Sequence, residues 1–185
     1  MNKTILSIFV CAVFLCTMPA YAEEAPAAIK NLANSTLAAL GKDPVILAAA
    51  KEANGENKSL TQIKARDEVW RKTPGIDDFM RAILQSACAK YIRGIQESKA
   101  YYSEIFVMDN QGANVAMTDK TSDYWQGDED KFIRSYNNGK GAVFVDQVEF
   151  DDSAQAYLVQ VSVPVMDGDT CIGAITFGID VDKIE

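Results

Sequence analysis

The stretch EIFVMDNQGANVAMT, Glu104–Thr118, decides the architecture. Glu104–Asp109 and Ala113–Thr118 are strand-like runs, and Asp109-Asn110-Gln111-Gly112 between them is a turn signal, so the segment reads as a β-hairpin. Three further strand-like runs follow toward the C-terminus: Ala142–Phe150, Ala156–Pro164 and Thr170–Ile179. The last two are joined through Asp167-Gly168. In the fourth run Tyr157, Val159, Val161 and Val163 alternate with Leu158, Gln160 and Ser162, the period of a strand. Between the second and third runs, Asp128–Tyr136 reads as a short helix, ended by Asn137-Asn138-Gly139.

Upstream of the hairpin the chain reads as helical. Ile29, Leu32, Leu37 and Leu40 recur at near-helical spacing up to Gly41. Asp43-Pro44 is a start signal for a helix to Ala53, and Ser59 caps another that stops at Thr73-Pro74-Gly75. From Ile76 an apolar stripe through Phe79, Met80, Ile83, Ala87, Cys88, Ile92 and Ile95 predicts one helix of up to about 25 residues, about 37 Å long. Helices followed by a five-stranded antiparallel sheet with an inserted helix make an α+β fold.

Met1–Ala22 has the pattern of a secretory signal: Lys3, an apolar run from Ile5 to Met18, and Ala20-Tyr21-Ala22 before the expected cleavage after Ala22. Its apolar run is too short for a membrane span, and no later segment resembles one, so an exported, periplasmic chain without membrane insertion is expected. Removing residues 1–22 takes out Lys3 and no carboxylate, so the net charge moves from −8 to −9. Such acidity argues against nucleic acid, whose phosphates need a basic face. The 185-residue chain contains no histidine. That excludes Ser-His-Asp and Cys-His catalysis, imidazole-ligated zinc and His-ligated haem. Cys11 and Cys16 leave with the signal. Cys88 and Cys171 then either form one bridge, worth about 4 kcal/mol for so long a loop, or are two buried free thiols.

Two segments carry a resemblance: Glu104-Ile105-Phe106-Val107-Met108-Asp109-Asn110-Gln111-Gly112, and Thr121-Ser122-Asp123-Tyr124-Trp125-Gln126-Gly127-Asp128-Glu129. Together with Gly141–Asp151, Val161-Ser162-Val163-Pro164-Val165 and Ile172–Asp180, they resemble an extracytoplasmic Cache (PDC) sensor domain. Asp43-Pro44-Val45 and Asp67-Glu68-Val69-Trp70 are similar to the lead helices of such domains. The resemblance covers nearly all of the chain after Ala22. It implies a PAS-like sheet that binds a small ligand outside the membrane, as on chemoreceptors, histidine kinases and cyclic-dinucleotide enzymes. The expected organisation is a signal at 1–22, a helical segment at 23–100 and a sheet domain at 101–185, folded as one unit. A stand-alone form, without the transmembrane helix and output domain that accompany the family's sensors, is the expectation. The resemblance then implies a separate partner, a membrane-bound receptor or kinase, that reads the bound state.

Asp123-Tyr124-Trp125-Gln126-Gly127-Asp128 is the densest cluster of functional residue types. Two aromatics flanked by carboxylates suit an ammonium group, through cation–π attraction and charge-assisted hydrogen bonds. The other reading has Tyr124 and Trp125 plugging the sheet while Asp128 caps the inserted helix. Asp146 lies in an apolar stretch of the third strand, a part that lines the pocket in the resembling family; it is either a ligand for an amine or an outward-facing residue. Arg134 is placed to clamp a carboxylate or to stand in solvent. Tyr157, Met117 and Tyr102 are candidate pocket walls. Glu149 with Asp151-Asp152 lacks the spacing of a calcium loop and reads as a solvated turn. The expected function is therefore a stand-alone sensor that binds a small amine, amino acid or carboxylate, with no cofactor, no metal and no catalysis. The alternative is a periplasmic interaction module with no small ligand.

Overall fold

A computed structural model describes residues 23–184; the signal-like segment lies outside them. The helices start where side chains can satisfy their free N–H groups. Helix α1 (Ala27–Leu32) continues through one π-helical turn at Ala33–Leu37 into α2 (Ala38–Leu40). The Asp43 carboxylate accepts from the backbone N–H of Val45 and Ile46 and opens α3 (Pro44–Gly55). Ser59 and Gln62 form a reciprocal capping box at α4 (Leu60–Lys72).

The long helix expected from Ile76 onward is two helices. Asp77 caps α5 (Asp78–Leu84), and Ser86 accepts from the Ala89 N–H to start α6 (Ala87–Glu97) anew. The apolar stripe runs on across the break, which is why spacing alone hides it. The break also lets one stripe serve two cores, with Met80 of α5 in one and Cys88, Ala89 and Ile92 of α6 in the other.

The strands are β1 (Tyr102–Met108), β2 (Asn114–Met117), β3 (Phe144–Asp151), β4 (Ala156–Asp167) and β5 (Thr170–Asp180). They form one antiparallel sheet in the order β2-β1-β5-β4-β3. The α+β reading and the five strands are thus present, with ends moved by a few residues. The connection from β2 to β3 joins opposite edges, so it must cross one face of the sheet. It carries α7 (Asp130–Tyr136) across that face.

Both faces are covered. On the inner face Ile105, Val107, Val159, Val161, Val163, Val165, Ile175, Phe177 and Ile179 are buried against Ile29, Leu37, Ile46, Ala50 and Ile92 of the helices. On the outer face Phe106, Met108, Met117 and Ala174 pack with Phe132 of α7 and with Ile63, Trp70 and Met80. Tyr102 joins the inner core and Met117 the outer one, so both are packing residues.

Cys88 and Cys171 are both free and buried. Cys171 sits in the β4–β5 ladder opposite Met166, its thiol donating to the Gly173 carbonyl at 3.1 Å, whereas Cys88 lies under α6 in the helix-side core. Burial, with Asp43 nearby, pushes the Cys88 thiol up to about 12. A thiol reagent at neutral pH is expected to leave both cysteines unlabelled in the folded protein and to label both in urea.

Trp70 is fully buried and ties the two halves together. Its indole N–H donates to the Thr121 carbonyl at 2.9 Å, and its ring packs on Tyr124 and Phe79. Trp70→Ala is expected to cost about 3–5 kcal/mol in urea unfolding, and a loss below about 1 kcal/mol would contradict this role.

Candidate ligand-binding site

The predicted aromatic–carboxylate cluster is split by the fold. Tyr124 is buried, with its ring 5.7 Å from Trp70 and 5.3 Å edge-on to Phe79, so it is a plug. Asp123, Trp125 and Asp128 do come together, beside Lys64, Asp67 and Arg71, in a cleft of about 590 Å³. This cleft lies between α4 and the segment 123–129. The ammonium it receives is the chain's own: Lys64 Nζ stands 4.2 Å from the Trp125 ring centre. The Asp67 carboxylate accepts from the N–H of both Tyr124 and Trp125, and the Trp125 indole N–H donates to the Gln111 carbonyl.

Asp128 is not a cap, because the N-cap position belongs to Glu129, which makes no side-chain capping bond. Arg134 stacks its guanidinium 4.3 Å from the ring centre of Phe144, at the start of β3, and stands 3.7 Å from Asp130. Tyr157 is exposed and packs edge-on with Phe150. Asp146 lies where the β3–β4 register shifts between Val145 and Val148, and it lines the flank of a different groove.

That groove crosses the outer face of the sheet. Its floor is Glu104, Phe106 and Gln160; its walls are Lys120–Ser122, Gln126, Lys131 and Asp151–Ser153, around a volume of about 550 Å³. A flanking lobe of about 420 Å³ shares Lys131, Asp151 and Gln160 and adds Asp146 and Glu149. At the other mouth stand Gln96, Ser103 and Asp119.

Strand register builds the floor. Glu104 of β1 is opposite Gly178 of β5, which is opposite Gln160 of β4. The three make a polar row across a face that is otherwise apolar or self-paired, as Ser162 and Thr176 are at 2.7 Å. A Cβ at position 178 would stand 2.7 Å from Glu104 Cγ, so the glycine leaves a lane in which the glutamate stem lies. Gln160 Nε2 donates to Glu104 Oε1 at 3.3 Å. Lys131 enters from the first turn of α7, mostly buried, with Nζ 2.6 Å from Glu129 Oε2 and 5.6 Å from the Phe106 ring centre.

Burial pushes the Glu104 carboxyl up to about 7; Lys131 opposes the rise, while Asp151, Asp119 and Glu129 add to it. The Asp151 carboxyl is held below its usual range, chiefly by the Ser153 hydroxyl. The groove thus offers one partly buried carboxyl that changes charge near neutrality, a fixed carboxylate, an amide and an ammonium. Such a set can hold a small polar molecule by its charged ends.

Sequence reasoning missed Glu104, Gln160 and Lys131, and took Asp151 for part of a solvated turn. A signal existed: Gln160 is polar on the strand face opposite the valines, and Glu104 heads the apolar run Ile105–Met108. Only the pairing through Gly178 puts the two together.

No family model matches the chain, and no curated protein matches it. Among solved structures it is similar to the V. cholerae histidine kinase DctB sensor domain, at 13% identity and TM-score 0.42 over 84% of this chain and 51% of that one. It is also similar to the ligand-binding domain of the Campylobacter jejuni chemoreceptor Tlp3 in complex with 4-methylisoleucine, at 14% identity and TM-score 0.41, over 85% of this chain and 60% of that one. A third is the ligand-binding domain of the Pseudomonas aeruginosa amino acid chemoreceptor PctC in complex with GABA, at 9% identity and TM-score 0.40, over 84% and 60%. The chain thus spans about half to two thirds of the length of these sensor domains. Among the described residues no helix is long and apolar enough to cross a membrane.

The stability consequence of Glu104 has a definite sign. A carboxyl raised from 4.5 to about 7 binds its proton more tightly in the folded state. Its contribution is therefore fully present below about pH 4.5 and is lost as pH rises to about 7. Glu104→Gln is expected to remove that loss, so the variant melts above the wild type at pH 8 and not above it at pH 4.5. Parallel melting curves across this range would overturn the assignment.

Proposed function

We propose that the chain is an exported sensor domain, its leader removed after Ala22, that binds a small amine, amino acid or carboxylate in the outer-face groove. A separate membrane-bound receptor or kinase then reads the bound state. The observation that carries this reading is the polar row Glu104–Gly178–Gln160. It crosses an otherwise sealed sheet face and opens into a cavity with Lys131 on its wall. Gln160 and Glu104 touch each other only through one long bond of 3.3 Å, which leaves the remaining donor and acceptor capacity of a cavity-facing pair for a ligand.

A bound molecule would link elements that are otherwise joined loosely: β1 and β4, the start of α7, and the Asp151–Ser153 turn. β1 is the natural route outward. Its Glu104 and Phe106 face the groove, and its Ile105 and Val107 face the helices. A ligand shifts such a system only through its preference for one arrangement. The chain's acidity favours ligands that carry an amino group.

The alternative, an interaction module without a small ligand, draws on an apolar groove of about 770 Å³ between α3, α5 and α6, floored by Val115. A thermal-shift panel of amines, amino acids and small carboxylates distinguishes the two. A ligand at a hundredfold excess over Kd stabilises by about 2.7 kcal/mol. The shift is expected to disappear in Gln160→Ala and to persist in Trp125→Ala. Loss in Trp125→Ala alone would move the site to the α4 cleft, and no shift with any compound would favour the interaction module.

A further inference from the structure

Glu104 is held so that its charge depends on what enters the groove. Its stem lies in the lane left by Gly178 of β5, and its Oε1 is touched by one neutral donor, Gln160 of β4. The charged groups around it come from every other side: Lys131 from α7, Glu129 from the segment before it, Asp151 and Asp152 from the end of β3, and Asp119 and Lys120 from the loop after β2. Lys131, the nearest counter-charge, is already paired with Glu129 at 2.6 Å. No cation in the described residues is therefore committed to Glu104, and carboxylates outnumber ammoniums about the groove.

We propose that the groove takes up a cationic amine in exchange for one proton of Glu104, so that the protein reports amine and pH jointly. The proposal rests on the reading of this groove as the ligand site. The exchange balances simply. The carboxylic acid gives its proton to solvent, and the carboxylate that remains accepts a hydrogen bond from the ammonium N–H of the ligand. With the groove empty, burial keeps Glu104 protonated up to about pH 7. An ammonium within about 4–6 Å favours the ionised form and lowers the midpoint by about 1–3 units. By reciprocity the affinity for the amine rises with pH between the bound and the free midpoints, tenfold in all for each unit that separates them, and levels off on either side. A carboxylate ligand has the opposite linkage.

The diamine putrescine is a suitable probe, with succinate as the control of opposite charge. Carbon NMR of the glutamate carboxyls, with Glu104→Gln identifying the signal, is expected to show a midpoint near 7 for Glu104 in the free protein. Putrescine in large excess is expected to lower it by one unit or more, and succinate is not. In weakly buffered solution near pH 6.5, adding putrescine should release about half to three quarters of a proton per chain, and none from Glu104→Gln. A free midpoint in the ordinary carboxylate range overturns the proposal, as does a midpoint near 7 that putrescine leaves in place. An amine that binds by calorimetry without moving the midpoint defeats the exchange alone. Failure of every amine to bind defeats the ligand reading with it.

Discussion

The sheet is buried on both faces, and most of the structure follows from that constraint. Along β1 the side chains alternate between two cores, Ile105 and Val107 toward the helices, Phe106 and Met108 toward α7 and Trp70. The central strand β5 does the same with Ile175, Phe177 and Ile179 against Ala174 and Thr176. Strands of this kind read as continuous apolar runs and have little tolerance for polar side chains. Where a polar pair does occur it is self-satisfied, as in the hydroxyl bond between Ser162 and Thr176. Glu104 and Gln160 also touch each other, at 3.3 Å, but they are only partly buried, and the groove lies over their row.

The wall of the groove owes its shape to contacts behind it. Asp67 holds the backbone of Tyr124 and Trp125, Trp70 holds Thr121, and a Cβ on Gly112 would stand 2.5 Å from Gly127 Cα. The segment 121–127 is thereby stitched to α4 and to the β1–β2 turn. By contrast α7 starts without a side-chain cap, and Lys131 sits in its first turn. One wall is thus held by side-chain bonds, and the other begins without a cap.

Much of this could be read in the chain directly. The caps at Asp43 and Ser59, the stop at Asn137-Asn138-Gly139 and all the strands are local in origin, set by side-chain-to-backbone bonds and by period-two alternation. The inserted helix began two residues late because Glu129, not Asp128, takes the N-cap position. The helix from Ile76 failed because periodicity does not register a serine that caps from within the stripe. The aromatic–carboxylate box is divided for another reason. Adjacent side chains on an extended segment point to opposite sides, so Tyr124 enters the core while Trp125 faces outward to Lys64.

The sequence by itself determined the α+β class, the hairpins, the inserted helix and the alternation that puts Val159, Val161 and Val163 on one face. These depend on neighbours within a few residues. Only the tertiary structure decided that Cys88 and Cys171 are both buried, that the aromatic cluster meets its own lysine, and that Glu104, Gly178 and Gln160 form one row. Each of those depends on strand order and register between segments tens of residues apart. No local pattern encodes that pairing, because it is set by how two cores close on both sides of one sheet.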